Sequence, residues 1–168
     1  MTEAYPRPAV TAVLSVADMR RSDAYTIEHF TDSKTLMARA GQGIFEACKW
    51  HGRVAVVCGS GNNAGDGYVL AALLAEAGID VHIIFLEEKF SPDGAYFFAR
   101  ARARGVPASL WEAGADLRGY DCIADCIFGT GFHGEVRGAA ADAIRAINGS
   151  GAFVVSADIN SGMNGDTG

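Results

Sequence analysis

The stretch Arg53-Val-Ala-Val-Val-Cys58, followed at once by Gly59-Ser-Gly-Asn-Asn-Ala-Gly-Asp-Gly67, decides the fold. A short run that is nearly all apolar and rich in β-branched side chains suits a parallel strand covered on both faces, where alternation is not required. The glycine loop that ends it, spaced Gly59-x-Gly61-x-x-Ala64, fits the dinucleotide fingerprint, in which small residues let the backbone approach a phosphate. No Lys-Ser or Lys-Thr pair follows the glycines, which disfavours ATP hydrolysis of the P-loop type. A helix from about Tyr68 to Ala77, stopping at Gly78, completes a strand-loop-helix unit.

Working outward, Asp80 to Leu86, Val106 to Trp111, Tyr120 to Phe128 and Ala152 to Asp158 read as further strands. Helices from Pro92 to Arg104 and from Ala139 to Ile147 lie between them, the first marked by an early Pro and a terminal Gly105. Upstream the period becomes helical. Ser15-Val-Ala-Asp18 has capping-box spacing ahead of a helix reaching about Phe30. Thr31-Asp-Ser33 offers N-caps for a second helix carrying Leu36, Met37, Ala40, Ile44, Phe45 and Cys48 at helical intervals. Met1 to about Thr11 reads as a loose arm. Alternating strands and helices imply right-handed crossovers. The expected fold is therefore one α/β domain over 1–168, a three-layer, Rossmann-like, doubly wound, mainly parallel sheet with N-terminal helices and strand order 3-2-1-4-5. In that order the switch point lies between the strands ending at Cys58 and Phe128, and ligands bind outside their carboxyl ends. The loops gathered there are Gly59 to Gly67, Gly129 to Gly138 and Asp158 to Gly162.

Composition sets limits on function. With 168 residues, 49% hydrophobic and 20% charged, the chain can build one real core. A net charge of -6 leaves no basic excess for nucleic acid or an anionic membrane surface. A phosphate can still be held locally by N–H groups at a helix start. Apolar stretches are of strand length and no basic segment precedes a hydrophobic run at the N-terminus, so a cytoplasmic protein is expected. Cys48, Cys58, Cys122 and Cys126 lack metal-site spacing and are expected as reduced, mostly buried thiols.

Particular residues carry the chemistry. Asn62, Asn63 and Asp66 are more than turn geometry needs and suggest a bound cation or direct ligand contacts; the plainer reading is left-handed turns and a helix cap. Asp125 stands in an otherwise apolar strand, where a carboxylate must be paired, coordinate an ion, or be satisfied by backbone N–H groups. Gly129-Thr130-Gly131 makes a second anion cradle. His133 beside it reads better as a ligand rim than as a catalyst. Asp158, at the end of the last strand, is the favoured acid/base group. Arg100, Arg102 and Arg104 read as a solvated helix face.

Gly61-Asn-Asn-Ala-Gly-Asp-Gly67, Asp125-x-x-x-Gly129-Thr-Gly131 and Asp158-Ile-Asn-Ser161-Gly162 followed by Asp166-Thr-Gly168 closely resemble the signature segments of the NAD(P)HX epimerase family, also called the YjeF N-terminal domain family. The Leu36-Met-Ala-Arg-Ala40-Gly41 helix is similar to its N-terminal motif. The resemblance implies an isomerase of nicotinamide cofactor repair that interconverts the R and S epimers of NADHX and NADPHX for a partner dehydratase. It implies cofactor contacts at Asn62, Asn63, Ala64, Gly65 and Asp66, at Gly129, Thr130, Gly131, Phe132, His133, Gly134 and Glu135, and at Asp158. It also implies a potassium ion held by Asn63, Asp125 and Ser161. A homodimer is allowed by the same resemblance.

Departures are Ala64 for Gly, Asn160 for Pro, and an end at Gly168 where the family continues into further strands, whose loss could expose a sheet edge. The chemistry expected at C6 is loss of its protonated hydroxyl as water, helped by the ring nitrogen, and readdition on the other face. Asp158 is the candidate carboxyl and Asp66 the second; ring opening and reclosure is the other lawful route. The competing reading is a non-catalytic nucleotide-sensing or dimerisation module of the same fold.

Overall fold

The computed structural model describes residues 14–168, so the arm expected over Met1 to Thr11 lies outside the described residues. β1 (Arg53–Cys58), β2 (Asp80–Phe85), β3 (Ala108–Leu110), β4 (Cys122–Cys126) and β5 (Phe153–Ser156) form one sheet in the order β3-β2-β1-β4-β5. Every neighbouring pair is parallel, with Val54 of β1 in register with Val81 on one side and Cys122 on the other. The expected order holds.

Burial on both faces explains the unalternated sequence of β1. Val54, Val56 and Cys58 join a core layer with α2 (Ser33–Ala47), α3 (Asn62–Glu76) and α4 (Pro92–Ala103). Ala55 and Val57 face the opposite layer, built on α5 (Gly138–Gly149) with Trp111 and Leu117. Leu70 and Leu74 of α3 are fully buried, worth roughly 1.5–3 kcal/mol each in apolar burial. α2 and α3 touch where Gly41 leaves room, since a Cβ there would stand 2.5 Å from Val69 Cβ. Cys58, Cys122 and Cys126 are buried and Cys48 half-buried, all as free thiols.

α1 (Val16–His29) and α2 begin where the capping residues place them: Ser15 accepts from Asp18 N and Asp32 from Thr35 N. α3 departs from expectation. It starts at Asn62, not Tyr68, so the second half of the glycine loop is already helix. Asn63, Ala64, Gly65 and Gly67 are all buried there, and this packing overrides the poor helix propensity of Asn and Gly. β3 is also shorter than expected, because only Ala108, Ser109 and Leu110 pair with β2.

Candidate active site

The carboxyl ends of β1, β4 and β5 open into a cavity of about 1170 Å³. Asn62, Asn63 and Asp66 reach it from the first turns of α3, Gly129 to His133 from the loop after β4, and Asp158 from the end of β5. α3 is capped by Gly61 with no side-chain hydrogen bond at its start. Its first N–H groups are therefore available to an anion, with the helix dipole behind them. Asp158 Oδ2 accepts from Thr130 N at 2.7 Å, and a Cβ on Gly129 would come 2.5 Å from that same oxygen. Glycine at 129 is thus what lets the loop and the acid lie against each other. Phe128 and Phe132 stack with ring centroids 4.4 Å apart along this wall.

Asp66 is the electrostatically unusual group. Burial, then the negative charges of Asp158 and Asp23, push its pKa up to about 7. Desolvation and like charge both disfavour its ionised form.

A second cluster forms around the backbone of Phe128. Asn63 Nδ2 donates to Phe128 O at 3.0 Å, while Phe128 N donates to Ser161 Oγ at 2.9 Å. Ser161 Oγ in turn donates to Asp125 Oδ1 at 2.6 Å. Asp125, only 6% exposed, also accepts from the backbone N–H groups of Ile127 and Ser161 and from Ser156 Oγ. All these donors are neutral, and among the described residues no Lys, Arg or His pairs with its charge. Asn63 Oδ1 is buried without a hydrogen-bond partner. Asp125 and Ser161 line a smaller cavity of about 450 Å³ on the α5 side, so Asn63 meets them through Phe128 rather than by direct contact.

Ala64, Gly65, Gly134 and Glu135 are not among the residues lining the cavity. Ala64 is 1% exposed in the core. The place of a Cβ on Gly65 is taken by Met37 Sδ. The Ala64 side chain and the Cβ position of Gly65 face α2 and the sheet because the helix has already begun, which leaves their backbone N–H groups in the first turn of α3 as the atoms that can meet a ligand. Gly134 and Glu135 are exposed and outside the cavity lining: the chain turns at Gly134, with φ 92°, and Glu135 pairs with Arg137 at 2.7 Å.

The structure also adds a wall that the motifs did not indicate. Met19, Arg20, Asp23 and Ile27 of α1 line the cavity. Val16 N, at the start of α1, donates to Asp166 Oδ1 at 2.8 Å, which gives the Asp166-Thr-Gly168 segment a visible task. Helical spacing marked α1 as a helix but carried no sign of where it would lie.

Comparison with known proteins agrees with this geometry. A family model described as YjeF-related protein N-terminus matches residues 33–168. The NAD(P)H-hydrate epimerase of Rhodopirellula baltica is 35% identical over 89% of this chain and 65% of its own length. That of Limosilactobacillus fermentum is 34% identical over 92% of this chain and 77% of its own. The bifunctional NAD(P)H-hydrate repair enzyme Nnr of Coxiella burnetii is 32% identical over 95% of this chain, which spans only 34% of that protein. The crystal structure of yeast ynu0, YNL200c, shares the fold with a TM-score of 0.74 at 23% identity, covering 88% of this chain and 70% of that one.

Proposed function

The chain belongs to the YjeF-related protein N-terminus family, and on that premise we propose that it is an NAD(P)H-hydrate epimerase, an isomerase acting on the R and S forms of NADHX and NADPHX. One observation carries the reading: Asp66 and Asp158 face a single cavity beside an uncapped helix start and a glycine loop. That arrangement suits a dinucleotide whose phosphates meet backbone N–H groups while its ring meets carboxyl groups.

In the hydrated ring, C6 bears a hydroxyl next to the ring nitrogen. Asp66, with its pKa near 7, keeps its proton where an ordinary carboxyl has lost it, and so suits the general acid. Protonation breaks the C6–O bond and water leaves as the nitrogen lone pair forms a C=N bond. Water adding to the opposite face gives its proton to Asp158, whose Oδ2 is held in place by Thr130 N. A proton returned from Asp158 to Asp66 through solvent restores the starting state. The division between two acids refines the single-carboxyl expectation.

Asn63, Asp125 and Ser161 would hold a potassium ion. They offer only oxygen, the donor a hard cation prefers, and the partnerless Asn63 Oδ1 and the uncompensated Asp125 charge both fit one. The ion would supply a fixed positive charge beneath the loop that meets the phosphates. The bifunctional relatives support a dehydratase as the functional partner, and a cytoplasmic setting suits cofactor repair. Among the described residues no helix is long and apolar enough to cross a membrane.

The test is direct. Purified epimer of NADHX, incubated with the protein and followed by chromatography, should relax to a mixture far faster than in buffer. Binding of the dinucleotide without any faster exchange would establish the non-catalytic module instead.

A further inference from the structure

The cavity that accepts the dinucleotide is acidic. Asp23, Asp66, Asp93 and Asp158 line it, and Arg20 is the one Arg or Lys among its described lining residues. Backbone N–H groups offset part of a pyrophosphate's charge, but they are fixed partial charges, whereas a guanidinium brings a full charge and paired donors. Arg20 is placed for that contact. Its guanidinium Nη2 comes within 3.3 Å of the position a Cβ on Gly131 would take, so it rests against the glycine loop after β4. It is exposed at the cavity mouth and makes no hydrogen bond or ion pair to another described residue. Arg21, by contrast, is tied to Asp18.

The helix that carries Arg20 is anchored at one end. Val16 is its only buried residue, and a Cβ on Gly165 would lie 2.6 Å from Val16 Cγ2. Asp166 holds the Val16 N–H. α1 also precedes residue 33, where the family match begins, so this wall is not part of the matched region.

We propose that Arg20 clamps a phosphate oxygen of the bound dinucleotide, making α1 part of the binding site and closing the phosphate between α1, the start of α3 and the 129–131 loop. The proposal rests on the dinucleotide reading above. The phosphate could be the pyrophosphate or the 2′-phosphate, and the experiment separates them.

Titration calorimetry with NADH and NADPH, on wild type, Arg20→Gln, Arg20→Lys and Arg21→Gln, tests it. Arg20→Gln should weaken binding by about 10- to 100-fold, the range of a charge-assisted hydrogen bond. Arg20→Lys should recover part of the loss and Arg21→Gln should leave affinity unchanged. In epimer exchange the Gln variant should raise KM with kcat retained, the mark of lost ground-state binding. Equal loss for both ligands assigns the pyrophosphate, and loss confined to NADPH assigns the 2′-phosphate. Wild-type affinity in Arg20→Gln for both ligands, or a fall in kcat at constant KM, overturns the clamp while leaving the epimerase reading intact. If the wild type neither binds these ligands nor exchanges epimers, the epimerase reading falls with the clamp; exchange with an unchanged KM in Arg20→Gln overturns the clamp alone.

Discussion

Asp66 and Asp158 reach the same cavity from opposite sides of the switch point, and their environments differ: one is partly buried at a helix start, the other exposed and bonded to an N–H group. Replacing either by Asn keeps shape and removes the proton-transfer group, so each variant should lose about 10²- to 10⁴-fold in turnover. Dinucleotide affinity of Asp158→Asn should stay within about tenfold, or roughly 1.4 kcal/mol; near-normal exchange rates in that variant would end its assignment. Wild-type turnover should fall as pH rises above about 7, where Asp66 loses its proton. Stability must follow the same group. The folded pKa is raised, so between the ordinary carboxyl range and about 7 the folded state binds the extra proton, and stability declines as pH rises through that window. Asp66→Asn should therefore melt roughly 2–4 °C higher than wild type at about pH 8, the shift of about 1 kcal/mol, and show no gain at about pH 4. Thermal scans at both pH values check the sign. Asp125 supplies a separate test, because its buried charge has only neutral partners among the described residues. Replacing tetramethylammonium by potassium should raise the melting temperature of wild type by roughly 2–4 °C and leave Asn63→Ala unmoved. An equal rise in both would place the ion elsewhere.

α3 shows why a residue's meaning depends on the element it joins. Gly67 lies where the helix presses on the sheet: a Cβ there would stand 2.8 Å from Cys126 Sγ and 3.1 Å from Val56 Cγ1. Gly67→Ala should lower stability by about 1–3 kcal/mol through overpacking. Cys126→Ala in the same chain should return part of it, and a urea-unfolding double-mutant cycle reads the coupling. Strict additivity of the two substitutions would show that α3 moves away without strain. The same contacts explain what sequence reading could and could not deliver. β1 was legible because a β-branched run between polar flanks carries its own signal, and α4 because Pro92 and Gly105 mark its ends. The first turns of α3 were not, since Asn62, Asn63, Gly65 and Gly67 read locally as a loop; Met37, Gly94 and Cys126, distant in sequence, make them helix. The burial of the Ala64 side chain was consequently not legible either, since it follows from the helical turn. The placement of α1 and Arg20 was equally invisible, because it depends on Asp166 at the other end of the chain.

At the scale of the whole molecule, topology and loop composition point to one site together: order β3-β2-β1-β4-β5 puts the crevice between β1 and β4, and Asn62, Asn63, Asp66, Gly129, Gly131 and Asp158 collect there. Among the described residues, the same order leaves β5 paired on one side only, with β4. Along that edge Phe153 is 48% exposed, Val154 39% and Met163, just beyond, 42%. Successive residues of a strand point to opposite faces, so Phe153 and Val154 make β5 apolar on both faces as well as unpaired along its backbone. An apolar edge of this kind is a template for another strand, and proteins commonly protect it with charge. Isolated β5 residues carry no such charge: the strand reads Phe-Val-Val-Ser. The chain should therefore associate in a concentration-dependent way through β5. Val154→Lys places a charge at the rim of the smaller cavity, and Phe153→Lys places one on the opposite face. Either substitution should shift light-scattering mass toward the monomer and slow aggregation on heating. Epimer exchange per chain should be unchanged by Phe153→Lys, because neither Phe153 nor Val154 lines the larger cavity. If both variants associate as the wild type does, the contact lies on another surface, and the exposed Tyr25 of α1 and Phe30 just after it are the next to charge.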